Sequence, residues 1–268
     1  MLGLKNSKTI RMNLSILPMF KRYAIHGLAA ISMLCAVSEE GKAQSMDNVI
    51  NTTTSFLVRD WVNDENYNEW LPPQVMAIPP STKIYGACGN WLEGDHVGET
   101  GSYYCPATHT IILDIEQLRW FYSEFGASAV AYVVAHEFGH AMQNRFDDFP
   151  NGSAKELQAD CFAGILIKIG SDELGVTRRD VLDMSYAAYG IGSTSHGTGA
   201  QRSYALMTGM GIIDFGCSNE EMYRLANSNI DDSHFSALQS SRSGTGGVDL
   251  SVTPFPKTIA DLEKYLRK

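Results

Sequence analysis

The chain has 268 residues, enough for one domain with a sizeable core, and carries 21 basic against 30 acidic residues, a net charge of −9. Removing residues 1–43 would take away six Lys or Arg and only Glu39 and Glu40, leaving −13. A chain this acidic is a poor partner for nucleic acid or anionic membrane surfaces, and those function classes are set aside.

Residues 1–43 read as a targeting segment. Lys21 and Arg22 precede an apolar run from Tyr23 to Val37, and Gly41-Lys42-Ala43 offers small residues for cleavage after Ala43. Residues 1–18 are long for such a leader, so Met12 and Met19 are alternative starts. Two other readings compete. One is an uncleaved anchor facing the exterior, although the apolar run is shorter than the ~20 residues a span needs. The other is a lipoprotein at Cys35, although Ser32-Met33-Leu34 is a poor lipidation box. Export with cleavage ranks first, which makes the protein periplasmic or secreted.

Without the leader four cysteines remain: Cys88, Cys105, Cys161 and Cys217. An even count in an exported chain points to two disulfides, with three possible pairings; four buried thiols is the competing reading. Cys88–Cys105 is favoured because both flank one short Gly-rich segment, which leaves Cys161–Cys217. No C-x-x-C pair is present, which disfavours a four-thiolate zinc site.

Residues 44–56 are polar, and 58–70 carry Trp61 and Trp70 among polar residues; each is either helix or irregular. Pro72-Pro73 and Pro79-Pro80 bracket an extended linker into a strand at Lys83-Ile84-Tyr85. Gly86 to Gly101, with His96, reads as a long loop. Ser102 to Cys105 and Thr110 to Leu113 read as two strands around a Pro106-Ala107-Thr108 turn. The second is a candidate sheet edge to which an extended peptide could add, with an ordinary core strand held equally open. Asp114 caps a helix through Phe121. The expected organisation is a leader over 1–43, an arm and linker over 44–80, and one domain over 81–268.

The next stretch carries the chemistry. Ala127 to Arg145 has helical spacing, and its middle, His136-Glu137-Phe138-Gly139-His140, is H-E-x-x-H. Residues four apart on a helix share a face, with Cβ atoms about 5–6 Å apart, so the two imidazoles can hold one metal ion. Glu137, one residue on, can reach a water on that metal without competing for it. This is the pattern of a zinc hydrolase, with Glu137 as general base. Two helix histidines near a core is the bland alternative. Burying Glu137 and two imidazoles without a purpose would be costly, which argues against it.

A catalytic zinc usually has three protein ligands. Gly and His at the third and sixth positions after His140 would supply one pattern, but Gln143 and Phe146 stand there. The other source is a following helix, where Glu156 and Asp160 lie four apart. Glu156 is the expected third ligand. Asp160 is expected to accept a ring N–H from a ligand histidine, His136 by preference. A capping box between Ser153 and Glu156 would explain Glu156 without metal, but not Asp160 at the head of an apolar run. Two imidazoles and a carboxylate favour zinc, one per chain, over manganese, cobalt or nickel, none of which is excluded.

Further on, Thr177 caps a helix to Tyr189. Gly190 to Gly199 is a Gly/Ser-rich loop holding His196, and Gln201 to Met210 is a helix. His196 is a candidate donor to the oxyanion of a hydrolytic intermediate; as a lone loop histidine it would otherwise be a surface residue. His96, His109 and His234 read as structural or surface. Residues 239–247 are Ser/Gly-rich, and Thr258 caps a last amphipathic helix to Leu266.

Together these segments resemble the bacterial putative neutral zinc metallopeptidases, among the gluzincins. The resemblance is carried by Tyr104-Cys105-Pro106, Ile112-Leu113-Asp114, Ala131 to His140, Glu156 to Gly164 and His196 to Arg202, over roughly residues 80 to 220. Of these, Glu156-Leu157-Gln158-Ala159-Asp160-Cys161 is the most discriminating. It implies an α+β, mainly helical zincin-like fold with a small antiparallel sheet beside the active-site helix. It also implies ligands His136, His140 and Glu156, the base Glu137, and a role for the His196 motif, and it supports Cys161–Cys217. Thr108 and Ala141 depart from residues common in the family, and both bear on the substrate groove rather than the metal. The expected function is an exported zinc peptidase acting on peptides or proteins. The alternatives are a zinc-dependent peptide-binding protein without catalysis and a membrane-anchored assembly factor on the same fold.

Overall fold

The longest helix, α3 (Ala127–Phe146), is buried on nearly every side, with fifteen of its twenty residues out of solvent. A helix apolar all round becomes the centre of a bundle rather than its surface. Around it pack α1 (Met46–Asn63), α2 (Ile115–Phe125), α4 (Ser153–Ile169) and α6 (Arg178–Gly190), and α7 (Gly199–Gly209) lies along the far side of α4. The structure is a computed structural model and describes residues 44–64, 69–86, 88–89, 91–93, 101–146 and 149–240. Those residues fall within one compact unit, Ala43–Lys268. The leader, His96, most of the 239–247 stretch and the helix expected from Thr258 lie outside the described residues.

The segment read as an arm and linker over 44–80 is folded. Both halves of its ambiguous start form α1, capped by Ser45, whose hydroxyl accepts the Asn48 N–H. Val49, Ile50, Thr53, Phe56, Leu57 and Trp61 are buried at helical spacing. Between the proline pairs runs β1 (Gln74–Ile78), which pairs in parallel with β5 (Thr110–Asp114). On its other side β5 pairs antiparallel with β4 (Tyr103–Cys105), Tyr104 opposite Ile111. The sheet order is β1-β5-β4.

One expectation is corrected here, and one open alternative is decided. The sheet is mixed rather than antiparallel. Thr110 to Leu113 is its central strand, not an edge, because β1 covers the side left open in the sequence reading. Every residue of β5 is buried, as a strand covered on both faces and both edges must be. The edge toward α3 is β4. A separate two-stranded ribbon pairs β2 (Lys83–Tyr85) with β3 (Trp91–Glu93).

The helices after the sheet start where the caps were expected. Asp114 caps α2 through the Glu116 and Gln117 N–H groups, and Thr177 forms a capping box with Asp180 at α6. A second box, Thr198 with Gln201, opens α7 two residues earlier than expected. At α4 the competing cap is absent: the N-cap is Gly152, with no side-chain bond, and Ser153 is already helical, so Glu156 is not used as a capping residue. The short helices α5 (Ser171–Leu174), α8 (Asn219–Ala226) and α9 (Ser233–Ser240) complete the unit. Cys88 pairs with Cys105 and Cys161 with Cys217, at Cα separations of 5.7 and 5.8 Å. Among the described residues no helix is long and apolar enough to cross a membrane.

Candidate metal centre

Three side chains converge where α3 crosses α4. His136 and His140 stand one turn apart on α3, with their Nε2 atoms 3.1 Å apart. Glu156 Oε2 lies 3.5 Å from His136 Nε2 and 3.3 Å from His140 Nε2. Tetrahedral bonds of about 2.0–2.1 Å place ligand atoms about 3.3–3.4 Å apart, so this triangle has the size of one face of a zinc site.

The hydrogen bonds on the far side of each ring suit the tautomer that turns Nε2 toward a metal. Asp160 Oδ1 is 2.8 Å from His136 Nδ1, and an ionised carboxylate only accepts, so Nδ1 carries a hydrogen and the neutral ring presents the Nε2 lone pair. At His140 the orienting group is Gln143. Its Nε2 donates to Lys155 O at 2.7 Å and Gln158 Oε1 at 3.1 Å, which turns its oxygen to His140 Nδ1 at 2.8 Å. His140 Nε2 is therefore also a lone pair. Two imidazole lone pairs and a carboxylate facing one point within 3.5 Å repel one another unless a cation lies between them. His136, His140 and Glu156 thus form a donor set that fits zinc.

Asp160 is fully buried and its charge is held by more than His136. Arg202 donates from Nε to Oδ2 and from Nη2 to Oδ1, both at 2.8 Å, and Tyr132 Oη donates to Oδ1 at 2.6 Å. Burial by itself would raise the Asp160 pKa; the Arg202 charge outweighs it, and with the His136 bond it holds the carboxyl at about 2. Burial likewise works against the charge of Arg202, and Asp160 more than restores it.

Glu137 is 4% exposed, and its Oε2 is buried without a hydrogen-bond partner. Burial raises its pKa. It faces a cleft of about 330 Å³ that also takes in Tyr103 and Tyr104 of β4, Val133 of α3, and His196. His196 is brought to the site by the α6–α7 loop, its Nε2 3.9 Å from Glu156 Oε2. Burial lowers its pKa, so the ring stays neutral over more of the pH range.

Gly139, between the two histidines, lets α4 approach. A Cβ there would sit 2.8 Å from the Ala159 carbonyl oxygen, next to Asp160. Gly139→Ala is expected to push α4 outward, stretch the reach of Glu156 and weaken zinc binding by about tenfold or more, measured by chelator competition. Unchanged affinity would show that the helices yield without moving the ligand.

The sequence reading missed Tyr132, Gln143 and Arg202. Tyr132 lies four residues before His136 and Gln143 three after His140, so helical neighbour spacing could have raised both. Arg202 had no local signal beyond its place in the His196 motif. His109 is structural: it contacts Tyr104 Oη at 2.8 Å and the Leu71 carbonyl at 3.0 Å. His234 lies beside Asp232, 3.3 Å away and far along the chain from the metal ligands.

The comparison with known families agrees with this geometry. Residues 29–149 match the family model of the putative neutral zinc metallopeptidases. That span holds His136, Glu137, His140 and the β4 edge. It starts earlier than the resemblance seen by eye and ends before Glu156, so Glu156, Asp160 and His196 rest on the three-dimensional arrangement. An uncharacterised protein of Mycobacterium tuberculosis is 31% identical over 173 residues, covering 50% of this chain and 59% of its own length. A Mycobacterium bovis protein aligns identically. The uncharacterised protein YpfJ of Escherichia coli is 33% identical over 84 residues, covering 24% of this chain and 29% of YpfJ. The chain thus spans less than two thirds of these relatives. No solved structure matches it.

Proposed function

We propose that this chain is an exported zinc-dependent peptidase. The observation that carries the reading is the triangle of three acceptor atoms, 3.1 to 3.5 Å on a side, beside a buried carboxylate that is not part of it. His136, His140 and Glu156 would hold the ion. When bound there, zinc acidifies water and polarises a carbonyl. Glu137 takes the proton from the attacking water and returns it to the leaving amine. His196, across the cleft, donates to the oxygen on which negative charge develops.

The substrate lies extended along β4, the outer strand beside the active-site helix, and adds to it through backbone hydrogen bonds. Two cysteine pairs suit an oxidising compartment, in line with the leader expected over 1–43.

Metal analysis tests the ligand set directly. The wild type should bind one zinc per chain and cleave a mixed peptide library. His140→Ala and Glu156→Ala should each lose at least about 90% of the zinc and all cleavage, with helical circular dichroism retained, because two ligands do not close a catalytic site. Stoichiometric zinc in Glu156→Ala would remove that residue from the set.

A further inference from the structure

His196 stands on the loop between α6 and α7, with its side chain 52% exposed. A half-exposed loop imidazole would ordinarily sample several rotamers. Here two hydroxyls converge on its Nδ1: Ser195 Oγ at 2.8 Å and Ser193 Oγ at 3.2 Å, themselves 3.2 Å apart. The loop beneath them is closed. Ser193 N donates to Gly197 O at 2.8 Å, and His196 N donates to Ser193 Oγ at 3.1 Å. Gly197 turns the chain at φ +92° and lies against Leu157, the residue after Glu156, so the loop is seated on the helix that bears the third ligand.

The proton order follows from the partners. Ser193 Oγ already accepts a backbone N–H, so its own hydrogen goes to Ser195 Oγ or to Nδ1. On the opposite side of the ring, Nε2 opens on the cleft, 3.9 Å from Glu156 Oε2 and beyond hydrogen-bond distance. With its hydrogen on Nε2, the ring presents a lone pair at Nδ1 to which the two hydroxyls can donate. A carboxylate in place of the serines would instead draw the hydrogen to Nδ1 and favour imidazolium. Two hydroxyls at Nδ1 fix the ring's orientation and leave its other nitrogen toward the cleft.

We infer that Ser193 and Ser195 are positioning residues, donating to His196 Nδ1 and holding its Nε2–H in the cleft as a neutral hydrogen-bond donor. This rests on the peptidase reading for its consequence: the donor meets a carbonyl oxygen as it gains charge, and its effect falls on kcat rather than on substrate affinity. The serines touch no substrate and act through the ring.

The test uses zinc-loaded protein labelled with 15N at histidine, with His196→Gln assigning the signal. In the wild type His196 should be protonated at Nε2, with Nδ1 a hydrogen-bonded acceptor. Ser193→Ala/Ser195→Ala should move the Nδ1 resonance to that of an unbonded nitrogen, and Ser195→Thr, which keeps a hydroxyl, should leave it in place. On an internally quenched peptide the double variant should lose about tenfold in kcat with KM within about twofold, less than the loss of a whole oxyanion donor. Ser195→Thr should keep the wild-type rate.

A wild-type ring protonated at Nδ1 would overturn the assignment, as would an Nδ1 resonance indifferent to the double substitution. So would a shifted resonance with kcat unchanged. If the wild type cleaves no peptide, the peptidase reading fails, and the spectra still decide what the serines do to the ring.

Discussion

Glu137→Gln should retain one zinc per chain and lose between about 10²- and 10⁴-fold in kcat, the contribution of a positioned general base. The amide is nearly isosteric and Glu137 is not a ligand, so neither the His136–His140–Glu156 triangle nor the fold should change. What disappears is, among the described residues, the one buried carboxylate oxygen in the cleft that bonds no partner, Glu137 Oε2. The replacement amide cannot accept a proton from water. KM should move little, because the proposed mode holds the substrate along β4 rather than on Glu137. Metal content by mass spectrometry and steady-state kinetics on one peptide decide the matter. Zinc retained with activity within about threefold of wild type would transfer the base to another group. Zinc lost would show that Glu137 helps to build the metal site.

The largest stability effect is expected at Arg202, which is 4% exposed and paired to a carboxylate with no exposure at all. Arg202→Leu leaves Asp160 ionised in the core with only His136 and Tyr132 beside it. Removing one partner of a buried ion pair costs about 3–5 kcal/mol, which for a unit of this size lowers Tm by roughly 10 °C. Adding Asp160→Asn removes the stranded charge and should recover part of the loss. The pH dependence has a definite sign. In the wild type the folded-state pKa of Asp160, about 2, lies below its ordinary 3.8. The stabilisation is therefore complete above about pH 4 and fades as pH falls toward 2. In Arg202→Leu burial is no longer outweighed, the folded pKa rises above the ordinary value, and protonation relieves the strain. The deficit against wild type is thus greatest near neutrality and narrows in acid. A Tm within about 2 °C of wild type at neutral pH would mean that Asp160 is neutral or solvated.

The residues that could be read from the sequence share a local geometry. His136 and His140, and then Glu156 and Asp160, are each spaced at one helical turn, and both segments are helices. The apolar run before the motif announced a buried helix. The sheet was harder, although part of its signal was present. Thr110 to Asp114 is a continuous run with no polar face except its ends, and Ile111 and Ile112 are both fully buried although they point to opposite faces. That pattern belongs to a central strand. The sequence leaves edge and core strand equally open because the second neighbour, β1, lies between two proline pairs that resemble a linker. The α1 helix was ambiguous for a similar reason: many of its residues are polar, and its apolar spacing acquires meaning only against α3.

By itself the sequence determined the helical spacing of His136 and His140, that of Glu156 and Asp160, and the principal helix caps. Each depends on residues within a few positions of one another, where the 3.6-residue helical period sets the geometry whatever the rest of the chain does. Only the tertiary structure decided which strand is the edge, how the sheet is mixed, and how the charge behind His136 is held. Asp160 reaches His136 across 24 residues, Arg202 reaches Asp160 across 42 and Tyr132 across 70. Contacts at such separations follow from how helices pack, and Gly139 shows the physical reason. A hydrogen in place of a methyl group lets α4 come close enough to α3 for one carboxylate, Glu156, to join the two histidines and another, one turn on, to accept from the His136 ring.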